Sequence, residues 1–168
     1  MTYVLGPASR KEMTGVHPSL AAIVEEAIKL TTQDFTVHDG LRTVEEQRDY
    51  VRRGVSKTMN SKHMKQADGF GHAVDLVPYI NGKLRWEWKP IFHIVAAVRK
   101  ALDIVNANRA AVGKPAVKII WGGVWDRDFA SLPADAAGIE VAVNSYVARR
   151  RALGKTAFID GPHFELAA

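Results

Sequence analysis

The sequence predicts a single α+β domain in which a small, mostly antiparallel sheet is flanked by helices. The chain has 168 residues, and 47% of them are hydrophobic, which is enough to bury one core. Helical and short strand patterns alternate along the chain, but without the regular strand–helix–strand rhythm of a parallel sheet. Gly and Pro are scattered, and no repeat, low-complexity segment or linker divides the chain.

The first half of the chain indicates, in order, a helix, a strand, a second helix and a loop. Apolar residues recur at helical spacing after Ser19, which is placed to cap the helix, and the next segment alternates up to a turn at Asp39-Gly40. Thr43 and Glu46 fit a capping box for the second helix, and Gly54 fits its end. The predicted elements are a helix over 20–30, a strand over 34–40, a helix over 43–54 and a loop over 56–71.

The second half indicates three strands and two helices. The apolar run 72–80 predicts a buried strand that ends at Pro78, because proline cannot donate to a sheet. Pro90 opens the longest helical pattern, which closes before Gly113. The remaining elements are a short strand over 117–121, a helix between Asp135 and Leu153, and a strand or strand-and-turn over 157–166.

Composition excludes several classes of protein. The chain has no Cys, which removes disulfide scaffolds, thiolate zinc sites and cysteine nucleophiles. The net charge of +5 favours acidic partners, but nucleic acid, anionic membrane and cell wall all qualify. The basic residues are spread over separate segments and no nucleic-acid recognition motif is present, so we expect no nucleic-acid partner. No apolar run approaches the length that spans a membrane, so we expect no stable membrane insertion.

Candidate metal ligands concentrate in two segments beside tight glycine turns, residues 61–75 and 160–165. Without Cys, a zinc site must use His and carboxylate groups, and a catalytic site needs three of them. Asp75 lies inside an apolar run, where a lone carboxylate is costly unless it is paired or bound to a metal. For any one of these residues a hydrogen-bonded structural role stays open, and only their joint presence favours a metal. The histidines of the chain are His17, His38, His63, His72, His93 and His163.

The two segments carry a spaced pattern: Ser61-x-His63, then Gly71-x-Ala73-x-Asp75, then Asp160-x-x-His163. This pattern resembles the signature of the VanY-like zinc metallopeptidases, which comprise D-Ala-D-Ala carboxypeptidases and L-alanyl-D-glutamate endopeptidases and include many phage endolysins. Further segments are similar to the endolysin branch, and the resemblance spans nearly the whole chain in the expected order. These segments are residues 15–20, 34–47 and 121–125.

The resemblance implies a fold like that of the hedgehog and DD-peptidase domains and one catalytic Zn²⁺. His63, Asp75 and His163 would be its ligands, and Asp160 would be the general base. Arg42 matches the family's arginine and would stabilise the oxyanion of the tetrahedral intermediate. A pairing of Arg42 with Glu45 or Glu46 stays open as an alternative.

The resemblance also suggests residues that contact or position substrate. Ser61 and Gln47 are candidates for positioning the substrate or the residues around the zinc. Trp121 and Trp125, which flank two glycines, are candidates for lining the cleft, with aromatic core packing as the alternative for both.

The chain departs from the family pattern in two places. Extra residues between His63 and Gly71 raise the question of whether His72 is the ligand. In an extended segment Ala73 and Asp75 share one face while His72 points to the other, so we expect His63 to be the ligand. The second departure predicts that the single catalytic domain, residues 1–168, contains a helical insertion at about 126–156.

The function implied is hydrolysis of the L-Ala–D-Glu bond in the stem peptide of peptidoglycan by a monomeric zinc endopeptidase. The alternatives are a D-Ala-D-Ala carboxypeptidase or dipeptidase and a non-catalytic wall-binding zinc domain; the presence of Asp160 argues against the last. Residues 1–11 lack the pattern of a secretory signal. We therefore expect the protein to be made in the host cytoplasm and to act on the periplasmic cell wall after release by another protein.

Overall fold

The computed structural model of the protein describes residues 2–167 and confirms the α+β class. The helices and strands alternate along the chain, with one short 3-10 helix at Phe129–Ser131. The helices are α1 (Pro7–Met13), α2 (Pro18–Leu30), α3 (Val44–Arg52), α4 (Trp88–Ala111) and α5 (Ala136–Ala152). The strands are β1 (Phe35–Asp39), β2 (Ala73–Ile80), β3 (Lys83–Leu84), β4 (Ile119–Trp121) and β5 (His163–Leu166).

The strands form one antiparallel sheet in the order β1-β2-β5-β4, with β3 paired to the end of β2. The last strand of the chain therefore enters the middle of the sheet, between β2 and β4. Its register places His163 directly opposite Asp75, although 88 residues separate them in sequence. On the other side of β2, Asp39 of β1 also lies opposite Asp75.

The two faces of the sheet have different roles. Side chains alternate along a strand, and Val74 and Leu76 of β2 join Phe164 and Leu166 of β5 in one core with the apolar residues of α2 and α4. The residues between them in sequence, among them Asp75, face the other way. The face of the sheet that carries Asp75 is therefore the face on which a polar site can form.

Most predicted elements are confirmed, but several boundaries differ, and β4 begins at Ile119 and not at 117. The strand β2 does not end at Pro78 but continues to Ile80. Proline has no N–H to donate, but the carbonyl of Pro78 accepts a hydrogen bond from Arg85 N. The helix α4 begins at Trp88, two residues before Pro90; proline is tolerated there because the first amides of a helix have no partner within it. The strand β5 begins only at His163, and residues 153–162 form a loop.

The helix α1 was not predicted from the sequence. Pro7 at its first position is a start signal, but the helix has no side-chain cap and no acidic residue in its first turn, and it is only seven residues long. Its position depends on a distant contact, because Ser9 Oγ accepts a hydrogen bond from Val37 N of β1 at 3.0 Å. The two-residue strand β3 was also missed, since so short a strand has no measurable period.

The segment 126–156 contains the short 3-10 helix and α5, and α5 packs against α4. That it is an insertion relative to the family stays a prediction. Among residues 2–167, no helix combines the length and the apolar character that a bilayer crossing requires.

Candidate metal centre and catalytic site

His63, Asp75 and His163 come together on the face of the sheet opposite the core. His63 Nε2 lies 3.2 Å from Asp75 Oδ1, and His163 Nδ1 lies 3.1 Å from the same oxygen. One ligand atom from each residue lies within 4.8 Å of the other two. Two imidazole nitrogens and one carboxylate oxygen at this spacing are a set that can hold a metal ion.

The second nitrogen of each imidazole is held by an acceptor. His63 Nδ1 lies 3.0 Å from the carbonyl oxygen of Gly40, and His163 Nε2 lies 2.9 Å from Glu165 Oε1. Histidines that bind metals commonly donate their other N–H to a carbonyl or carboxylate, which fixes the tautomer and the ring orientation. With a metal bound, each ring would keep its N–H toward this second acceptor and offer its other nitrogen to the ion, so the residues fit a metal ion.

Sequence reasoning missed the role of Glu165. The available signal was its position two residues after His163, since residues i and i+2 of a strand share a face. The structure places both side chains on that face and joins them by a hydrogen bond.

The ionisation of these groups indicates a site built for positive charge. Burial alone would raise the pKa of Asp75, but hydrogen bonds from His163 and His63 outweigh burial and hold this pKa well below its usual range. Burial would lower the pKa of His163, yet its hydrogen bonds to Asp75 and Glu165 raise it to about 10. The carboxylates of Asp75 and Glu165 thus stabilise positive charge at His163. A bound metal ion would be stabilised by the same negative charge.

Two glycines allow the backbone to approach closely enough to build the site. A Cβ at Gly40 would overlap the carbonyl oxygen of Glu12, so only glycine lets its own carbonyl reach His63 here. A Cβ at Gly122 would overlap the carbonyl oxygen of Asp160. Gly122 O also accepts a hydrogen bond from Asp160 N at 2.8 Å, which ties the loop carrying Asp160 to the end of β4.

Asp160 lies beside the three candidate ligands and is half-buried. Its carbonyl oxygen accepts a hydrogen bond from His163 N at 3.2 Å. Burial and the nearby charge of Asp75 raise the pKa of the Asp160 carboxyl, while His163, His63 and Arg42 partly oppose the shift. A carboxylate with a raised pKa is a better proton acceptor than an ordinary one.

Arg42 is buried, with 6% of its surface exposed. Its guanidinium forms an ion pair with Asp39, donates from Nη1 to Gln47 Oε1 at 2.7 Å and stacks over the ring of Tyr50 at 4.2 Å. It does not pair with Glu45 or Glu46, the partners that sequence spacing suggested. Glu46 instead completes the capping box at Thr43 that was predicted.

Gln47 is fully buried, and its amide is engaged at both ends. While its oxygen accepts from Arg42, its nitrogen donates to Ser56 Oγ at 2.9 Å and to the carbonyl of Thr58 at 2.6 Å. Gln47 therefore positions Arg42 and the start of the 53–72 loop. Its side chain has no surface exposed to solvent.

Ser61 and His72, the other candidates close to His63 in sequence, have different positions relative to the ligand group. Ser61 Oγ accepts a hydrogen bond from His63 N at 3.2 Å, so it shapes the turn that carries this histidine. His72 lies apart from the three candidate ligands, and its Nε2 lies 2.7 Å from Asp68 Oδ2. This placement agrees with the alternation argument that favoured His63.

The two tryptophans of residues 121–125 have opposite environments. Trp121 has no exposed surface; it packs among Phe129 and Phe164 and donates from Nε1 to the carbonyl of Gly161 at 2.7 Å. Trp121 therefore packs in the core, and the prediction that it lines the cleft is wrong. Trp125 is partly buried, and its ring centroid lies 5.5 Å from that of His163.

Comparisons with known proteins agree with this geometry. A family described as phage L-alanyl-D-glutamate peptidase matches residues 1–167. The L-alanyl-D-glutamate peptidase of Escherichia phage T5 is 32% identical over 129 residues, which cover 75% of this chain and 84% of that protein. The crystal structure of the Serratia marcescens L-Ala D-Glu endopeptidase ChiX matches with a TM-score of 0.63 and 28% identity, covering 96% of this chain and 87% of that one. The chain belongs to the phage L-alanyl-D-glutamate peptidase family.

Proposed function

We propose that this protein is a zinc-dependent endopeptidase that hydrolyses the L-Ala–D-Glu bond of the peptidoglycan stem peptide. The observation that carries the proposal is the group formed by His63, Asp75 and His163, with each imidazole held by a second acceptor. The family and the two named relatives support the choice of bond. They favour the endopeptidase over a carboxypeptidase that removes terminal D-Ala.

Zinc is the metal that this ligand set suits best. Two imidazole nitrogens with one carboxylate oxygen are a common catalytic zinc set. Bound zinc supplies Lewis acidity, which makes water acidic enough to ionise near neutral pH and polarises a carbonyl group. Glu165 and the carbonyl of Gly40 keep the two imidazoles in the orientation that binding needs.

Asp160 is the proposed general base. Its carboxylate accepts a proton from the attacking water and delivers it to the nitrogen of the leaving D-Glu. Burial, which raises its pKa, makes the carboxylate a stronger acceptor. The tie between Asp160 N and Gly122 O keeps the carboxylate beside the ligand group while the proton moves.

Arg42 is the proposed stabiliser of the oxyanion. Asp39 and Gln47 bind one N–H on each terminal nitrogen of the guanidinium, and each of these nitrogens carries a second N–H. Because Asp39, Gln47 and Tyr50 fix its position, Arg42 needs little reorganisation when charge develops. Ser61 and Gln47 act as positioning residues, and Trp125 lines the cleft beside His163.

The biological setting follows from the proposed substrate. We propose that the protein acts as a monomer on the peptidoglycan of an infected bacterium. In this proposal it is synthesised in the host cytoplasm and reaches the periplasmic wall when another protein releases it. The segment 126–156 is a helical insertion in the catalytic domain, and the residues that flank it, Trp125 and Phe158, stack on each other beside the cleft.

Digestion of purified peptidoglycan tests the proposal directly. The digest should contain stem peptides that begin with D-Glu and glycan strands that keep only L-Ala, identified by mass spectrometry. Removal of metal with a chelator should stop the reaction, and added zinc should restore it. Release of D-Ala as the sole product would replace the endopeptidase with the carboxypeptidase alternative. No product from any muropeptide would point to the non-catalytic wall-binding alternative.

A further inference from the structure

Phe158 is a large apolar side chain that is exposed to solvent close to the candidate catalytic site. It lies in the 153–162 loop two residues before Asp160, and 65% of its surface is exposed. Ile159, between the two, packs against the core, so the loop itself is anchored. A large exposed aromatic group next to a catalytic residue is more informative than an exposed apolar group elsewhere.

Phe158 belongs to an aromatic row that starts at the candidate ligand His163. The ring of Trp125 lies 5.5 Å from His163, and the ring of Phe158 stacks on Trp125 at 6.2 Å with an interplanar angle of 20°. Within residues 2–167, the buried Nε1 of Trp125 has no hydrogen bond acceptor.

We propose that Trp125 and Phe158 form a platform for the N-acetylmuramyl sugar that carries the stem peptide. This inference rests on the proposed function, because L-Ala is the residue that joins the peptide to that sugar. One amino acid and the lactyl group between the sugar and the scissile bond span roughly 7 Å at most. The platform starts within that distance of His163 and extends outward to Phe158.

The charges of the two ends of the substrate favour the sugar end for this platform. The lactyl carboxyl of the muramyl group is consumed in the amide bond to L-Ala, so the sugar end is neutral. The peptide end carries the free carboxylates of D-Glu and of the residue after it. Next to Trp125, the charge of Arg149 is already paired with Asp126 at 2.8 Å. A pyranose ring presents C–H groups that pack on an aromatic face.

Two matched substrates separate a sugar contact from a general loss of activity. One is the disaccharide tripeptide GlcNAc-MurNAc-L-Ala-D-Glu-diaminopimelate, and the other is the same tripeptide with an acetyl group in place of the sugars. The wild type should prefer the sugar-linked substrate in kcat/KM by roughly tenfold, a size that one good aromatic contact can supply. Phe158→Ala should abolish the preference, and Phe158→Tyr should restore it. Tyr79→Ala, which removes another exposed aromatic at the far end of β2, should leave the preference unchanged.

The outcomes separate this inference from the proposed function. If the wild type cleaves both substrates and Phe158→Ala keeps the preference, the sugar platform is wrong and the proposed function stands. If Phe158→Ala lowers kcat/KM equally for both substrates, the ring serves only to hold the loop of Asp160 and the platform is again wrong. If the wild type cleaves neither substrate, the proposed function fails and the platform fails with it. Thermal unfolding and zinc content of each variant confirm that the comparison is between folded, loaded proteins.

Discussion

Glu165 Oε1 lies 2.9 Å from His163 Nε2, while the other ring nitrogen of His163 lies 3.1 Å from Asp75 Oδ1. The register of β5 against β2 creates both contacts at once, since His163 pairs with Asp75 and Glu165 with Ala73. A single strand thus carries a candidate ligand and the group that orients it. Substitution of Glu165 therefore tests directly whether this contact orients the His163 ring for metal binding.

Glu165→Ala should weaken zinc binding about 10–100-fold, because loss of the carboxylate frees the His163 ring to rotate and to change tautomer. Glu165→Gln keeps an oxygen acceptor and should lose less. Competition against a chelator of known affinity measures the effect. Glu87→Ala, which removes an exposed carboxylate paired with Arg85, is the matched control and should bind zinc like the wild type. Wild-type zinc affinity in Glu165→Ala would refute the orienting role.

Replacing each proposed ligand should remove the metal. His63→Ala and His163→Ala should each lose most of their zinc, because two remaining ligands hold the ion weakly. His72→Ala should keep its zinc, since His72 bonds to Asp68 outside the ligand group. Metal content of the purified variants by mass spectrometry decides the matter. Full zinc in His63→Ala together with loss in His72→Ala would show that the motif assignment is reversed.

Gln47→Ala should destabilise the fold, although Gln47 is not one of the proposed ligands. The change leaves the buried Nη1 of Arg42 without its acceptor, at a cost of about 1–3 kcal/mol, and removes the hydrogen bonds that hold Ser56 and Thr58. In a domain of this size such a loss lowers Tm by roughly 2–4 °C per kcal/mol. Arg48→Ala, the exposed neighbour on α3, should change stability by less than about 0.5 kcal/mol. A Tm of Gln47→Ala equal to that of Arg48→Ala would contradict this network.

The spacing of residues predicted the ligand group but not the residues that support it. His63, Asp75 and His163 were identified by motif, and the structure places them together. Asp39 and Glu165 were missed although both lie close in sequence to the residues they contact, Arg42 and His163. Spacing alone does not show which of several nearby carboxylates faces a given side chain.

Arg42 shows why the alternative pairing that local spacing suggested is not formed. Glu45 and Glu46 lie three and four residues after Arg42, but they belong to the first turn of α3, where Glu46 caps the helix with Thr43. The irregular register between Val37 and Asp39 in β1 brings Asp39 to the guanidinium instead. Local spacing also did not distinguish the two tryptophans. Trp121 lies in β4 and faces the core, whereas Trp125 follows the turn after β4 and lies beside His163.

Asp160→Asn should separate metal binding from catalysis. Asparagine keeps the size of the side chain, and the backbone bonds to Gly122 and His163 do not depend on it, so zinc content and Tm should stay near wild type. The amide cannot accept a proton, so kcat should fall by about 10²–10⁴-fold, the usual contribution of a general base. Asp135→Asn is the matched control, because Asp135 caps α5 and asparagine caps helices equally well. Steady-state hydrolysis of a muropeptide by both variants, each fully loaded with zinc, gives the comparison. Near-normal turnover by Asp160→Asn would remove Asp160 from the mechanism, and loss of zinc from this variant would make it a ligand instead.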